Sequence, residues 1–351
     1  MKIASIVGAR PQFIKLASLS KKIRHKYREV IIHTGQHYDN NMSDQFLTDL
    51  EIPSPRYNLG IGSYSQGKQT GRMIEAIEEV LKNEKPNLAI VFGDTNSTLA
   101  GALAAAKMHV PIVHVEAGLR SFNREMPEEI NRVLTDHSSD YLFAPTQTAF
   151  HNLKREGLLE KSYLTGDIMV DVLKDNINRI EKSYIILEHL NLRPKGYYLL
   201  TLHRPYNVDN KIILGKILNS LSQVNQSIVF PIHPRTEKMI KKFKLEVGEN
   251  IKIIEPVGYL NMIYLEKNSS KVITDSGGIQ KEAYILEIPC ITIRTETEWV
   301  ETVKAGWNIL VNPDVPNLSE IIESFIPVGN QNKIFGENVA ERMVEIISEK
   351  L

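Results

Sequence analysis

A single cysteine, Cys290, in 351 residues leaves no partner for an intrachain disulfide. It lies in the apolar stretch 288–293, which reads as a buried structural thiol rather than a nucleophile. Charge of one sign is lacking too. The 42 Lys and Arg offset 42 Asp and Glu, so there is no basic surplus of the kind that wraps nucleic acid or an anionic membrane. One local basic pocket for a small phosphorylated ligand stays compatible with that balance. No apolar run approaches the roughly 20 residues that span a bilayer. The start MKIASIVGARP loses its apolar character at Arg10 and Pro11, too early for a signal peptide. The expectation is a cytoplasmic protein that binds neither nucleic acid nor membrane. Repeats and low-complexity tracts are absent.

Several signatures are missing as well. Gly-x-Gly-x-x-Gly occurs nowhere, so no dinucleotide cofactor is expected. Without an Asp-x-Asp triplet, a Walker lysine loop or a Gly-x-Ser-x-Gly elbow, metal-held phosphates and serine hydrolysis lack support. His33 and His37 have His-x-x-x-His spacing, but Gly35 between them points to a loop with no acidic ligand beside it. No metal site is expected, and no cofactor of any kind.

What is present is alternation. Short β-branched or apolar runs at 3–7, 29–33, 88–92, 112–115 and 141–144 are each followed by a turn and a helical pattern. After a polar, helix-like stretch at 167–189 the alternation restarts, with runs at 197–202, 227–232, 252–254, 271–274 and 290–293. Strands alternating with helices predict parallel sheets covered on both faces. A length of 351 residues suits two domains of that α/β, doubly wound, Rossmann-like kind. The expected division is 1–168, 169–335 and a closing helix, 336–351, across the junction, with the hinge near 166–171.

Ligands of such sheets bind at the carboxyl ends of the strands, so the residues just after each run carry the information. The strongest stretch is Asp275-Ser276-Gly277-Gly278, where a strand ends and a helix begins. The glycines let backbone approach a ligand, the helix terminus favours an anion, and Ser276 adds a donor or a plain N-cap. Glu282, one turn in, suits a ribose diol. Arg10 follows the first strand, Pro11 fits the first helical turn, and Lys15 comes a turn later. Three acids sit at comparable places: Asp94, Glu116 and Glu128. Each has a structural reading: Asp94 as a helix cap, Glu128 with Glu129 in a favourable first turn, Glu116 paired with nearby Arg120. Together with Arg10 at one sheet edge, they point to a site. His203-Arg204 and His233-Pro-Arg235 follow strands of the second domain and suit a phosphate or a sugar.

These stretches resemble the non-hydrolysing UDP-N-acetylglucosamine 2-epimerase family. The resemblance rests on Gly8-Ala-Arg10-Pro11, Lys15, His33-Thr-Gly-Gln36-His37, Gly93-Asp94-Thr95, His114-Val-Glu116-Ala-Gly118-Leu-Arg120, Pro127-Glu128-Glu129-Ile-Asn131-Arg132, His203-Arg204 and Asp275-Ser276-Gly277-Gly278-Ile-Gln280-Lys-Glu282. The motifs run in the family's order from residue 8 to residue 282. The resemblance implies two Rossmann-like domains facing across a cleft that closes on substrate, as in glycosyltransferases of the GT-B type. It implies a homodimer, and interconversion of UDP-GlcNAc and UDP-ManNAc for surface glycans through loss and re-addition of UDP. On that reading Asp94, Glu116, Glu128 and His203 are catalytic. Arg10, Lys15, Arg132, Arg204, His233, Ser276, Gly277, Gly278 and Glu282 hold the UDP-sugar. Gln36, Arg204 and His233 lie in segments where some members bind a second UDP-sugar as activator.

Two features qualify the match. Members commonly carry a Glu two residues beyond His-Arg, where this chain has Pro205-Tyr206-Asn207. The stretches 11–15, 94–101 and Thr297-Glu298-Trp299-Val-Glu301 also look like the branch acting on UDP-2,3-diacetamido-2,3-dideoxyglucuronate. A UDP-sugar glycosyltransferase, a hydrolysing epimerase and a non-catalytic nucleotide-sugar sensor remain as other readings.

Overall fold

The apolar runs become strands whose residues alternate between two covered faces. A computed structural model describes residues 1–36, 47–181, 185–329 and 331–350. The chain divides into two units, Met1–Asn176 with Ile334–Leu351, and Ile177–Lys333. His37 lies outside the described residues, as does most of the helical pattern at 41–50.

In the first unit β1 (Lys2–Val7), β2 (Arg28–His33), β3 (Tyr57–Asn58), β4 (Leu88–Phe92), β5 (Ile112–Val115), β6 (Tyr141–Ala144) and β7 (Ser162–Leu164) form one sheet, ordered β3-β2-β1-β4-β5-β6-β7. Every pair is parallel. β4 and β5 are buried along their whole length, as central strands of a sheet covered on both faces must be. The order reverses between β1 and β4, so the βα turns after β1 and after β4 diverge and open a crevice at the strand carboxyl ends.

Three elements of this unit lie beyond the expected pattern. β3 and β7 are edge strands of two and three residues, too short for any periodicity to register. The helix Gln66–Glu84 buries Met73, Ile77, Val80 and Leu81, spaced on one face, while its first turn carries no apolar side chain at all.

The closing segment belongs to this same unit. Asp167 N–H donates to the Phe335 carbonyl at 2.8 Å, and Ala340 N–H donates to Asp171 Oδ2 at 2.6 Å. The helix Val339–Lys350 buries Val339, Ala340, Met343, Val344 and Ile347 and packs on the helix Arg10–Lys26.

The second unit repeats the plan with β8 (Tyr198–Thr201), β9 (Ile228–Pro231), β10 (Ile251–Ile254), β11 (Lys271–Thr274), β12 (Cys290–Thr292) and β13 (Asn308–Leu310), ordered β10-β9-β8-β11-β12-β13 and all parallel. Its reversal falls between β8 and β11. β10 differs from the expected buried strand: it is an edge, and Lys252 and Ile253 face solvent. Cys290 is buried, and burial pushes its thiol up to about 12, so it is an inert part of the core. Among the described residues no helix is long and apolar enough to cross a membrane.

One core group of this unit works against stability. Glu266, on the helix Tyr259–Asn268, is fully buried, and neither carboxyl oxygen has a hydrogen-bond partner among the described residues. Burial first, and the charge of Glu282 second, push it well above the ordinary carboxylate range. A raised carboxyl binds more protons folded than unfolded, so it drains stability as pH climbs from about 4.5 toward the folded value. The slope approaches about 1.4 kcal/mol per pH unit. Glu266→Gln is expected to raise the melting temperature, more at pH 8 than at pH 5. Equal shifts at both pH values would show that the carboxyl ionises freely.

Candidate active site

At the carboxyl edge of the first sheet, Glu116 and Asp94 each stand against a cation. Glu116 follows β5 directly and takes a left-handed backbone conformation, φ +74°, which a non-glycine residue adopts only under constraint. Its Oε1 lies 2.6 Å from Lys15 Nζ, and both side chains are almost wholly buried. Glu116 thus pairs with a lysine from the helix Arg10–Lys26, whereas Arg120, four residues on, turns inward to Asp136 at 2.7 Å and to Glu156. Between β4 and this pair runs Gly93 at φ +63°. A Cβ there would stand 3.1 Å from Lys15 Nζ, so the turn must be glycine for the chain to pass so close.

Asp94 comes next. It is not the helix cap: Thr95 is, accepting from Thr98 N–H. Asp94 Oδ2 instead receives Arg132 Nη2 at 2.5 Å, and its carbonyl accepts from Asn131 Nδ2 at 3.0 Å. Arg132 is buried and also donates to Glu129 at 3.1 Å. Glu129 is structural, taking hydrogen bonds from Ser121 and from the backbone of Phe122. Glu128, its neighbour in the first turn of the helix Pro127–Ser138, is half-buried. The helix beginning at Pro127 therefore brings Asn131 and Arg132 to the turn that carries Asp94, and Glu128 lies one turn before Arg132 on the same helix.

Gln12 ties these turns together, although its residue type gave no sign of it. Its Oε1 accepts from Gly8 and Ala9 N–H at 2.8 and 2.9 Å, and its Nε2 donates to the Phe92 carbonyl and Thr98 Oγ1 at 2.9 Å. All of that satisfaction is buried. Arg10 starts the same helix at the end of β1, half-buried beside the reversal point. Gln36 Oε1 accepts from Ser97 N–H and Oγ, at 3.0 and 2.6 Å. His33 packs edge-on against Phe13, 4.9 Å between ring centres. Among the described residues no group of three His, Cys, Asp or Glu gathers to hold a metal.

The second unit presents a different chemistry at its reversal point. Asp275 is fully buried after β11 and accepts from His203 N–H, from Arg204 N–H at 2.9 Å and from Asn207 Nδ2 at 3.1 Å. It fixes the loop after β8, and with it the His203 ring, whose Nδ1 lies 3.3 Å from Asp275 Oδ1. Burial pushes His203 below the ordinary imidazole range despite Asp275, with Arg204, His233 and Arg294 adding to the push. The His233 ring stands 5.6 Å away, lowered by burial and then by Arg235. Arg235 itself pairs with Asp209.

Ser276 begins the helix Gly277–Ile285, and its hydroxyl makes no cap bond. At Gly277 an added Cβ would fall 2.2 Å from Glu298 Oε1, so the glycine lets that loop close on the helix terminus. Gly278 is exposed at that terminus, and Glu282 is buried one turn in. Lys281 stacks on Trp299 at 4.1 Å, and Arg294 pairs with Glu298 at 3.0 Å.

One sheet thus presents a glycine-rich helix terminus at its reversal point and the other presents ion-paired carboxylates. Residues 21–348 match the family model described as UDP-N-acetylglucosamine 2-epimerase. A Methanococcus maripaludis protein named UDP-N-acetylglucosamine 2-epimerase homolog is 54% identical over 354 residues, covering 99% of each chain. The crystal structure of the Methanocaldococcus jannaschii UDP-GlcNAc 2-epimerase with UDP-GlcNAc and UDP superposes with a TM-score of 0.92. It is 47% identical and covers 99% of this chain and 100% of that one. The chain belongs to the UDP-N-acetylglucosamine 2-epimerase family. It is an isomerase by class, built on the two Rossmann-like sheets of that family.

The family also contains a Pseudomonas aeruginosa UDP-2,3-diacetamido-2,3-dideoxy-D-glucuronate 2-epimerase, 48% identical over 319 residues, 89% of this chain and 88% of that one. Tyr206, two residues beyond His203-Arg204, stands half-exposed. Burial raises its hydroxyl to about 12, so at neutral pH it offers a hydrogen bond and no charge.

Proposed function

We infer that the protein interconverts UDP-GlcNAc and UDP-ManNAc. A carboxylate of the first unit removes the C2 proton of the sugar. The C2–H electrons form the C1=C2 double bond as the C1–O bond breaks, and UDP leaves with that electron pair. The 2-acetamidoglucal then takes a proton at C2 from the opposite face while UDP re-adds at C1, which inverts C2. The observation that carries this reading is the pairing of Asp94 with Arg132 and Glu116 with Lys15 at the ends of neighbouring strands. Reaching both faces of one carbon requires more than one acid–base group, and these two, with Glu128, supply them.

The second unit is assigned the nucleotide. The Ser276–Gly278 helix terminus and Arg204 suit a diphosphate, Glu282 a ribose diol, and His203 with Asp275 behind it a proton near the leaving oxygen. Arg10 adds a guanidinium to the diphosphate. Arg10→Ala is expected to weaken UDP about 10- to 100-fold in a calorimetric titration; unchanged affinity would remove it from the site. A second UDP-sugar as activator, and a homodimer, belong to the same proposal. The first predicts sigmoidal dependence of rate on UDP-GlcNAc, the second twice the chain mass in light scattering.

Similarity to the Pseudomonas aeruginosa enzyme supports one other substrate, the diacetamido uronate. Incubation of each sugar nucleotide in deuterated water, followed by NMR, separates the two. Deuterium at C2 with UDP-ManNAc formed supports the main reading. Exchange confined to the uronate moves the assignment to that branch, and exchange with neither sinks the elimination mechanism.

A further inference from the structure

We propose that His114 is a positioning residue of this reaction: a buried, doubly protonated ring that holds the Gly93 carbonyl and so the turn bearing Asp94. The role in turnover rests on the epimerase reading above; the protonation state does not.

His114 sits in mid-strand on β5 with no solvent exposure. Its Nε2 lies 2.7 Å from the Gly93 carbonyl oxygen, and its Nδ1 lies 2.7 Å from Asp136 Oδ1. A carbonyl oxygen only accepts, so Nε2 carries hydrogen. Asp136 Oδ2 takes Arg120 Nη1 at 2.7 Å and Gly118 N–H at 3.1 Å, which leaves Asp136 an ionised acceptor on both oxygens. Nδ1 therefore carries hydrogen too. A neutral ring would set a nitrogen lone pair against an oxygen lone pair at one end, buried and without water.

The charges around it agree. Arg120 is shared between Asp136 and Glu156, and His137 lies 3.3 Å from Glu156 at the exposed rim. Lys161 Nζ donates to the Asp136 carbonyl at 3.2 Å. On the far side of Gly93 stands the pair Lys15 and Glu116. With His114 charged, buried His114, Arg120 and Asp136 together with half-buried Glu156 make two cations and two anions.

This arrangement acts on two turns at once. Asp136 pins the turn after β5 through Gly118, and His114 pins the turn after β4 through Gly93. Both turns carry proposed acid–base groups, Glu116 and Asp94. Both ring nitrogens are engaged, by Gly93 and Asp136, so its contribution is orientation: Gly93 lies against Lys15, and one residue later Asp94 must meet Arg132.

Nitrogen NMR of the full chain labelled in histidine reads the ring directly, with His114→Gln assigning the signal. Protonated shifts at both nitrogens at neutral pH are expected; a deprotonated Nδ1 or Nε2 overturns the proposal, whatever the enzyme's activity. Kinetics test the positioning. In His114→Gln the amide can donate to Gly93 only by aiming its oxygen at Asp136. The expected result is kcat down about 10- to 100-fold with KM within about twofold. Adding Asp136→Asn lets Asn donate to Gln while its oxygen keeps Arg120 and Gly118, and most of kcat should return. Wild-type kcat in His114→Gln, or no recovery in the folded double variant, overturns the role. Absence of C2 exchange in the wild type instead counts against the epimerase reading and leaves the NMR result standing.

Discussion

Glu116→Gln is expected to fold, to bind UDP as the wild type does, and to lose turnover by about 10²–10⁴-fold. The reason lies in what the substitution keeps. A carboxamide matches the carboxylate in shape, tolerates the same φ of +74° and still offers an oxygen to Lys15 Nζ. It cannot accept a proton from carbon. Lys15 is almost wholly buried and loses its counter-charge, so a modest loss of stability accompanies the loss of rate. Asp94→Asn should behave alike, since Arg132 keeps Glu129 as a second partner. The check is C2 deuterium exchange measured beside thermal melting. Retained exchange in a folded Glu116→Gln would make the Lys15 pair structural and shift the proton work to Asp94 and Glu128.

The sequence foretold the two parallel sheets because β4 is an unbroken apolar run and β5, β8 and β11 are apolar at their centres or over most of their length, as buried strands must be. It could not foretell β3 or β7, since two or three residues carry no period. The acids after β4 and β5 were legible from strand ends alone. Their partners were not. Arg120 is four residues from Glu116 along the chain, yet a left-handed residue and a glycine turn redirect it inward, and Lys15 arrives from 101 residues away. Arg132, which the resemblance assigns to the UDP-sugar, is buried and donates to Asp94 and Glu129, partners that the sequence does not show. Gln12 and Asp136 look ordinary in sequence. Only His114 left a signal, a polar ring inside the apolar strand Ile112–Val115, where a fully buried imidazole demands two partners.

Asp136→Ala is expected to cost about 3–5 kcal/mol, the largest loss of stability of any single change named here. Alanine removes the acceptor for His114, Arg120 and Gly118 N–H together, and none of the three can reach water. Arg120 retains Glu156, so the penalty falls chiefly on His114 and on the turn at Gly118. The pH dependence gives the effect its signature. Burial alone would raise the Asp136 carboxyl, but the hydrogen bond and charge of His114, then those of Arg120, outweigh it and hold the group below its ordinary value. A depressed carboxyl contributes stability that is fully present above the unfolded value, about 3.9, and is lost as pH falls through the lower folded value. Urea unfolding should therefore separate wild type and Asp136→Ala at neutral pH, and the gap should narrow as pH falls below about 4. A gap that persists undiminished into acid would mean that the aspartate stabilises by shape and not by charge. Asp136→Asn decides between those two, because it keeps the shape: it should cost less than alanine at pH 7, and its unfolding should lose the acid limb that the wild type shows.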